Sequence, residues 1–270
     1  MNKLNPIGIF DSGIGGLTVA HAINKVLPNE EIIYFGDTKH LPYGNKTESK
    51  IRSYSNQITN FLIRQKCKAI IIGCNSASAI AFNSIKESKG NDALIINVID
   101  PVIRYVQNDL SIRNIGIIGT NATIKSMTYE KKILNLRNDL RVSSIATPLL
   151  ASLIEGNNKN CDINKIIKRY LYNKKFAKID SLILGCTHYP IIQNQINVFY
   201  KNRIRLISSV NVIGQEVKKQ LKKNALLNPN IIKKNTKHKF YVSNLTEPFQ
   251  EKTKLFFPHS IILQEENIFS

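Results

Sequence analysis

The stretch that decides the fold is "IIIGCNSASA", Ile70–Ala79, in which a β-branched apolar run ends in Gly-Cys and small polar residues. A second stretch with a similar pattern, "LILGCTHYPI", spans Leu182–Ile191. Continuous apolar runs of this length are typical of strands that are buried on both faces of a parallel sheet. Each stretch therefore predicts a buried strand with a cysteine at its carboxyl end.

The sequence around these stretches alternates short apolar runs with amphipathic segments. The runs that predict strands in the N-terminal part are Pro6–Phe10, Glu31–Asp37, Cys67–Gly73 and Ala93–Ile99. Between them, segments such as "GLTVAHAINKVL" and "ESKIRSYSNQITNFLIRQ" repeat apolar residues at spacings of three and four, as helices do. This order predicts an α/β fold with mainly parallel sheets covered by helices on both faces, which is a three-layer arrangement.

The same cycle restarts in the second part of the chain. "IGIFDSGIGG" from Ile7 resembles "IGIIGTNATI" from Ile115, and Cys74 precedes Cys186 by nearly the same interval. Two strand–turn pairs at similar offsets predict two similar, pseudo-symmetric α/β domains.

The domain boundaries follow from local composition. Asp100–Pro101 disfavours a helix and predicts the first crossing between domains. The apolar "LISSVN" and a helix predicted at Gly214–Asn224 mark the return. We therefore expect a discontinuous first domain at 1–99 and 210–270 and a second domain at 100–209, with the active site in the cleft between them.

Composition limits the classes of partner. The net charge of +19 would suit nucleic acid, but the basic residues form short scattered clusters that lack the aromatic residues of a stacking surface. The four cysteines form no CxxC or Cys/His metal pattern. No apolar run has the length of a signal core or a membrane span. We expect a cytoplasmic protein with free thiols, without a metal, a membrane partner or a nucleic-acid partner.

Ligands of parallel sheets bind beyond the carboxyl ends of the strands. The polar residues that fall at these predicted ends are Asp11, Ser12, Asp37, Cys74, Asn75, Ser76, Thr120, Cys186, Thr187 and His188. If the two domains face each other, the two strand-end cysteines reach one cleft from opposite sides. Cys67 and Cys161 lack polar neighbours of this kind and are predicted to be structural.

Two opposed thiols suit proton transfer better than other cysteine chemistry. A redox couple is disfavoured because there is no CxxC, and acyl transfer needs only one nucleophile. Inversion of a carbon stereocentre needs one base on one face and one acid on the other. A free thiol has a pKa of about 8.5, so neighbouring groups must help to form the thiolate. Asp11 is a candidate for this task on one side of the cleft, and His188 on the other.

Five segments carry a family resemblance. In this order, "IGIFDSGIGGLTV", "YFGDTKHLPYG", "GCNSASA", "GTNATIKS" and "LGCTHYPI" resemble the signature segments of glutamate racemases, within the aspartate/glutamate racemase group. The resemblance extends from about Ile7 into the C-terminal region. It implies an isomerase that interconverts L- and D-glutamate without a cofactor and supplies D-glutamate for bacterial peptidoglycan, and hence for the cell wall and cell shape. It makes a homodimer an expectation, and leaves open whether a cell-wall precursor activates the enzyme.

The resemblance also implies roles for individual residues. Cys74 and Cys186 become the proton donors and acceptors, Asp11 assists the Cys74 side, and Glu155 and His188 assist the Cys186 side. The residues implied to contact the substrate are Asp11, Ser12, Tyr43, Gly44, Asn75, Ser76, Thr187 and His188.

Alternative interpretations exist for several of these residues. Asp11 and Ser12 could cap the following helix, Tyr43–Gly44 could be a plain turn, and Glu155 could lie on an exposed helix face. We interpret Asp37 as a brace for its loop and leave it out of the catalytic set.

Two alternative functions also remain open. The chain could racemise aspartate or another amino acid, because only the pocket for the side chain decides between them. It could also be a decayed racemase scaffold that acts as a basic binding protein, since the net charge is +19.

Overall fold

The β-branched runs form the strands of two sheets in the computed structural model, which describes residues 1–156, 162–230, 238–257 and 262–269. The strands are β1 (Ile7–Asp11), β2 (Ile32–Gly36), β3 (Ala69–Ile72), β4 (Leu94–Asn97), β5 (Asn114–Gly119), β6 (Arg141–Ala146), β7 (Ser181–Gly185), β8 (Arg205–Ser208), β9 (Lys239–Val242) and β10 (Ile262–Glu265).

The amphipathic segments form helices between these strands. The helices are α1 (Gly15–Val26), α2 (Glu48–Arg64), α3 (Asn75–Ile80), α4 (Phe82–Lys89), α5 (Ile99–Asn108), α6 (Asn121–Lys125), α7 (Thr128–Leu136), α8 (Pro148–Glu155), α9 (Ile163–Leu171), α10 (Gln193–Phe199), α11 (Ser209–Lys223) and α12 (Glu247–Phe256). Short 3₁₀ helices lie at Tyr43–Asn45, Lys174–Phe176 and Tyr189–Ile192.

The two sheets repeat one topology. The first sheet has the strand order β10-β9-β2-β1-β3-β4, and the second has the order β6-β5-β7-β8. All the paired strands are parallel. The core of the first sheet, β2-β1-β3-β4, therefore has the same order as the whole second sheet, β6-β5-β7-β8. The prediction of two pseudo-symmetric α/β domains with parallel sheets is confirmed.

Both faces of each sheet are buried under helices. On one face of the first sheet, Ile9 and Ile71 pack with Leu17 of α1 and Ile213 of α11. On the other face, the neighbouring residues of the same strands pack with side chains of α2, α3 and α4. The second sheet has two clusters of the same kind. Every residue of β1, β2, β3 and β7 is buried, which explains the continuous apolar runs in the sequence.

The predicted strands match the observed strands to within two residues at each end, but the expectation for Asp100–Pro101 is wrong. These residues do not stop a helix, because they lie in the first turn of α5, which begins at Ile99. The first turn tolerates proline, since its N–H groups have no partners within the helix. The crossing itself is made by α5, which leads from β4 in the first sheet to β5 in the second.

The chain returns to the first sheet after β8. Helix α11 begins at Ser209, earlier than the predicted Gly214, and packs against α1 and α5. The segment that follows adds β9 next to β2, and then β10 at the edge of the first sheet. Helices α5 and α11 make the two crossings between the domains. The domain limits at 1–99, 100–209 and 210–270 stay a prediction. Within the described ranges, no helix is both long and apolar enough to cross a membrane.

A buried ion pair ties the first domain together at the end opposite the cleft. Lys68 Nζ lies 2.5 Å from Glu30 Oε2, and both side chains are fully buried. Glu30 Oε1 accepts a hydrogen bond from the Asn228 N–H, and Lys68 also donates to the Lys3 carbonyl. The pair therefore joins the start of β3 and the loop before β2 to the N-terminal segment and the segment after α11.

Lys68→Met should lower the free energy of unfolding by about 3 kcal/mol, because it leaves the Glu30 carboxylate buried without its cation. Urea unfolding of the full chain measures the loss. Lys50→Met is the matched control, since Lys50 is exposed on α2 and should change stability little. An equal loss in the two variants would contradict the structural role of the pair.

Candidate active site

The carboxyl ends of β1, β3, β5 and β7 meet in one cleft between the two sheets. The space between them, including open solvent at the mouth, measures about 280 Å³. The residues that line it are Ser12, Pro42, Tyr43, Gly44, Cys74, Asn75, Ser76, Thr120, Ala151, Cys186, Thr187 and His188. Both strand-end cysteines and all but one of the predicted substrate contacts lie here; Asp11 lies behind the wall.

Cys74 lies at the N-terminus of α3, directly after β3. Its sulfur lies 3.8 Å from Ser12 Oγ and near the Ala77 N–H in the first turn of α3. Burial, followed by the negative charge of Asp11, raises the pKa of Cys74 to about 12, although the nearby Ala77 N–H and Ser12 hydroxyl act against this rise. Cys74 is therefore a protonated thiol at neutral pH in this arrangement.

Cys186 follows β7 and lies beside a buried imidazole. Its sulfur is 3.5 Å from His188 Nδ1, while His188 Nε2 pairs with Glu155 Oε2. Burial alone would lower the pKa of His188, but the negative charge of Glu155, together with the charge and hydrogen bond of Cys186, raises it well above its ordinary value. A positive charge next to the Cys186 sulfur stabilises negative charge on that sulfur.

Asp11 connects the two domains instead of capping a helix. Its Oδ1 accepts from the Gly13 N–H at 2.8 Å, and its Oδ2 accepts from Thr187 Oγ1 at 3.0 Å. Helix α1 has Ile14 at its N-cap, without a side-chain cap, so the capping interpretation of Asp11 and Ser12 is wrong. Burial raises the pKa of Asp11, a rise that the charge of His188 opposes. The charge of Asp11 favours the thiol form of Cys74, which is the opposite of the help in forming the thiolate that we expected, and its hydroxyl partner, Thr187, is on the Cys186 side.

The glycines of "DSGIGG" allow the second domain to approach the first loop closely. A Cβ atom on Gly15 would lie 2.5 Å from Thr187 Oγ1 and 2.6 Å from His188 Nδ1. A Cβ atom on Gly13 would lie 2.7 Å from Glu155 Oε1. In the space that Gly13 leaves, Glu155 Oε1 accepts the Ile14 N–H at 3.1 Å. Glu155 therefore faces the cleft wall and is not on an exposed helix face.

Asp37 braces the loop that carries Tyr43. Its carboxylate accepts hydrogen bonds from Tyr43 Oη at 2.6 Å and from Ser243 Oγ at 2.8 Å, and it pairs with His40 Nδ1 at 2.9 Å. The interpretation of Asp37 as a brace is confirmed. Tyr43 and Gly44 form a 3₁₀ helix rather than a plain turn, and a Cβ on Gly44 would lie 2.3 Å from Thr120 Cβ. This loop thus closes the first domain against the second.

Several residues of the site lie outside the predicted set. Thr120 lines the cleft and lies 2.8 Å from Ser76 through their hydroxyl oxygens. The sequence placed Thr120 at a strand end, because it follows β5 as Cys74 follows β3, but did not include it among the substrate contacts. Ala151 also lines the cleft, and Tyr129 supports Asn75 from α7. Both lie inside helices, where no local sequence pattern marks them.

Of the two cysteines predicted to be structural, Cys67 lies in the described part of the chain. Cys67 is buried and packs against Gly8, which confirms that it is structural, and burial raises its pKa to about 12. Cys161 lies outside the described residues. In the part of the chain that the structure describes, no group of three or more His, Cys, Asp or Glu side chains could hold a metal ion.

A family model described as Asp/Glu/Hydantoin racemase matches residues 14–217. The fold and the site are thus those of an amino-acid racemase, and the chain belongs to the Asp/Glu/Hydantoin racemase family. Glutamate racemases from Chlorobaculum parvum and Syntrophus aciditrophicus are 37% and 36% identical to it, over 95% and 97% of this chain and 93% and 97% of their own lengths.

Solved structures agree with these similarities. A glutamate racemase from Francisella tularensis, crystallised in complex with D-glutamate, has a TM-score of 0.89 and 36% identity, with 99% of each chain covered. A glutamate racemase from Bacillus anthracis has a TM-score of 0.91 and 32% identity, with 98% of each chain covered. The predicted resemblance is confirmed, and so is the prediction that this chain is an isomerase of amino acids.

Glu155→Gln should lower the pKa of His188, because the negative charge that opposes burial is removed. Because the pKa of His188 is raised in the folded state, its charged pair with Glu155 stabilises the fold fully below the unfolded-state pKa of about 6.5. This contribution is lost as the pH rises through the folded-state pKa of His188. Histidine NMR titration of both proteins measures the shift. His238 is an internal control, since burial lowers its pKa and Glu155 is not among the causes. Identical His188 titration curves would contradict the proposed pairing.

Proposed function

We propose that this chain interconverts L- and D-glutamate by a two-base mechanism in which Cys74 and Cys186 are the acid and the base. The observation that carries this proposal is that two thiols line one small cleft from the ends of equivalent strands, β3 and β7. The high similarity to glutamate racemases supports glutamate as the substrate. One of these relatives was crystallised with D-glutamate.

The chemistry needs one ionised and one protonated thiol at the start of each turnover. The thiolate on one face of the substrate takes the Cα proton, so the C–H bond breaks and its electron pair stays on Cα. The thiol on the opposite face then delivers a proton to Cα, which inverts the stereocentre and leaves that sulfur as the thiolate. The two cysteines exchange roles in the reverse direction, and the atoms balance without a cofactor.

The neighbours of the two sulfurs suit these roles. Burial and the nearby charge of Asp11 keep Cys74 protonated. The protonated thiol suits the role of the acid when the Cys186 thiolate is the base. His188, supported by Glu155, lies next to Cys186 and stabilises its thiolate. When Cys74 is the thiolate, the Ser12 hydroxyl can donate to it, and the Ala77 N–H lies nearby.

The cleft can hold two carboxylates through neutral donors. The described lining contains no Lys or Arg, so hydrogen bonds from N–H and O–H groups must supply the affinity. The first turn of α3 offers backbone N–H groups of Asn75 and Ser76 that have no partner within the helix. The side chains of Ser12, Ser76 and Thr187 add hydroxyl groups.

The cellular role follows from the product. We propose that D-glutamate made here enters peptidoglycan synthesis, in the cytoplasm. A homodimer and activation by a cell-wall precursor stay predictions.

Cys74→Ala and Cys186→Ala should each abolish racemisation, with losses in kcat of about 10²–10⁴-fold or more, because each removes the acid or base on one face. The measurement is racemisation of each enantiomer in deuterium oxide. Wild type should incorporate deuterium at Cα with inversion. Each variant keeps one thiol, so any remaining exchange should occur without inversion and should favour opposite enantiomers in the two variants.

Cys67→Ala is the control, since Cys67 is buried away from the cleft and should leave racemisation intact. Full activity of either cleft variant would disprove the two-base mechanism.

The kcat/KM for glutamate should exceed that for aspartate by at least about tenfold, since one methylene in a fitted pocket is worth about 10–200-fold. Steady-state rates with both amino acids measure this ratio. A higher kcat/KM for aspartate would make aspartate the substrate and would leave the two-base mechanism unchanged. If neither amino acid were racemised and the chain bound DNA in a salt-dependent way, the alternative of a basic binding protein would take over.

A further inference from the structure

The amide of Asn75 has one satisfied end and one unsatisfied end. Its Oδ1 accepts a hydrogen bond from Tyr129 Oη at 2.7 Å. Its Nδ2 is buried and has no hydrogen-bond partner among the described residues. Asn75 lines the cleft between the two cysteines. A buried N–H donor without a partner is costly, so an acceptor on a bound ligand would satisfy it.

Tyr129 reaches Asn75 from the other domain. It lies on α7, next to the second sheet, and only 2% of its surface is exposed. Its ring lies close to the strand that carries Cys186, because a Cβ added at Gly185 would be 3.5 Å from Tyr129 Cε2. Burial, followed by the charges of Cys186 and Asp100, raises the pKa of Tyr129, so its hydroxyl keeps the proton that it donates to Oδ1.

We propose that Tyr129 is a positioning residue that orients the Asn75 amide so that Nδ2 donates to a substrate carboxylate. The inference rests on the proposed function, because it requires an anionic substrate in the cleft. In the observed orientation Oδ1 accepts from Tyr129, which leaves both protons of Nδ2 without a partner among the described residues. The opposite amide orientation would place a carbonyl oxygen against the carboxylate, which would weaken binding.

Tyr129 also makes this orientation depend on the contact between domains. Asn75 follows β3 of the first sheet, whereas Tyr129 lies on α7 next to the second sheet. The hydrogen bond between them therefore joins one side of the cleft to the other.

The test is steady-state racemisation of D-glutamate by the full chain carrying Tyr129→Phe. The ring and its packing remain, and only the hydroxyl is lost. KM should rise about tenfold while kcat changes by less than about twofold, because the lost interaction serves substrate binding in the ground state and the transition state alike. In a Cys74→Ala background, which stops racemisation, calorimetric titration with D-glutamate should show the same loss of affinity without turnover.

A double-mutant cycle separates positioning from a general structural effect. In an Asn75→Ala background, Tyr129→Phe should cause no further change in KM or in D-glutamate affinity, since the amide that Tyr129 orients is gone. Tyr200→Phe is the matched control. Tyr200 Oη is buried without a partner in the second domain, outside the cleft, so its loss should leave KM unchanged.

Each outcome has a distinct meaning. If wild type racemises glutamate and Tyr129→Phe has the wild-type KM, or if its effect persists in the Asn75→Ala background, the positioning role is wrong and the proposed function stands. If wild type neither binds nor racemises glutamate, the proposed function fails and this inference fails with it. A raised KM that disappears in the Asn75→Ala background supports both.

Discussion

The hydrogen bond from Thr187 Oγ1 to Asp11 Oδ2 joins the two domains at the point on which the rest of the site depends. Asp11 is fully buried, so its carboxylate needs the donors that the Gly13 N–H and Thr187 supply. The same contact brings His188 against Gly15, within reach of Cys186. A side chain at Gly15 would occupy the position of these atoms, so the glycine-rich loop serves close approach between domains. None of the glycines has a positive φ, which excludes a role in unusual backbone conformations among the described residues.

The charge of the molecule and the charge of its cleft are opposed. The chain carries a net charge of +19, yet the described lining has no lysine or arginine, and the carboxylates of Asp11 and Glu155 lie directly behind it. The overall positive field favours the approach of an anionic substrate over a long range. Inside the cleft, neutral donors and the His188–Glu155 pair set the local electrostatics. Scattered basic residues therefore give no information about what this site binds.

Much of the fold was predictable because it depends on local patterns. Continuous apolar runs identified the strands that are buried on both faces, and the restart of the pattern at Ile115 identified the second domain. The rule that ligands bind at the carboxyl ends of parallel strands placed Cys74, Asn75, Cys186 and His188 at one cleft. The proline at position 101 misled the prediction because its effect depends on where a helix begins, which the surrounding sequence does not show.

Other features of the site depend on tertiary contacts that no local pattern records. That Thr187 is the partner of Asp11, and that Tyr129 is the partner of Asn75, follows only from how the two domains meet. The capping interpretation of Asp11 failed for the same reason, since its real partner lies far away in the sequence. Glu155 was identified only through a family resemblance, because a glutamate on a helix has no distinctive local signal.

The two sulfurs have similar positions but unequal surroundings. Cys74 is near the carboxylate of Asp11, whereas Cys186 is near the imidazole of His188. For the proposed reaction, substrate and product are mirror images with equal free energies in water, so the equilibrium constant is fixed at unity. The Haldane relation then requires the same kcat/KM in both directions, whatever the surroundings of each sulfur. The two enantiomers can therefore differ in kcat and in KM by the same factor. The unequal surroundings of the sulfurs cannot make the enzyme favour one direction.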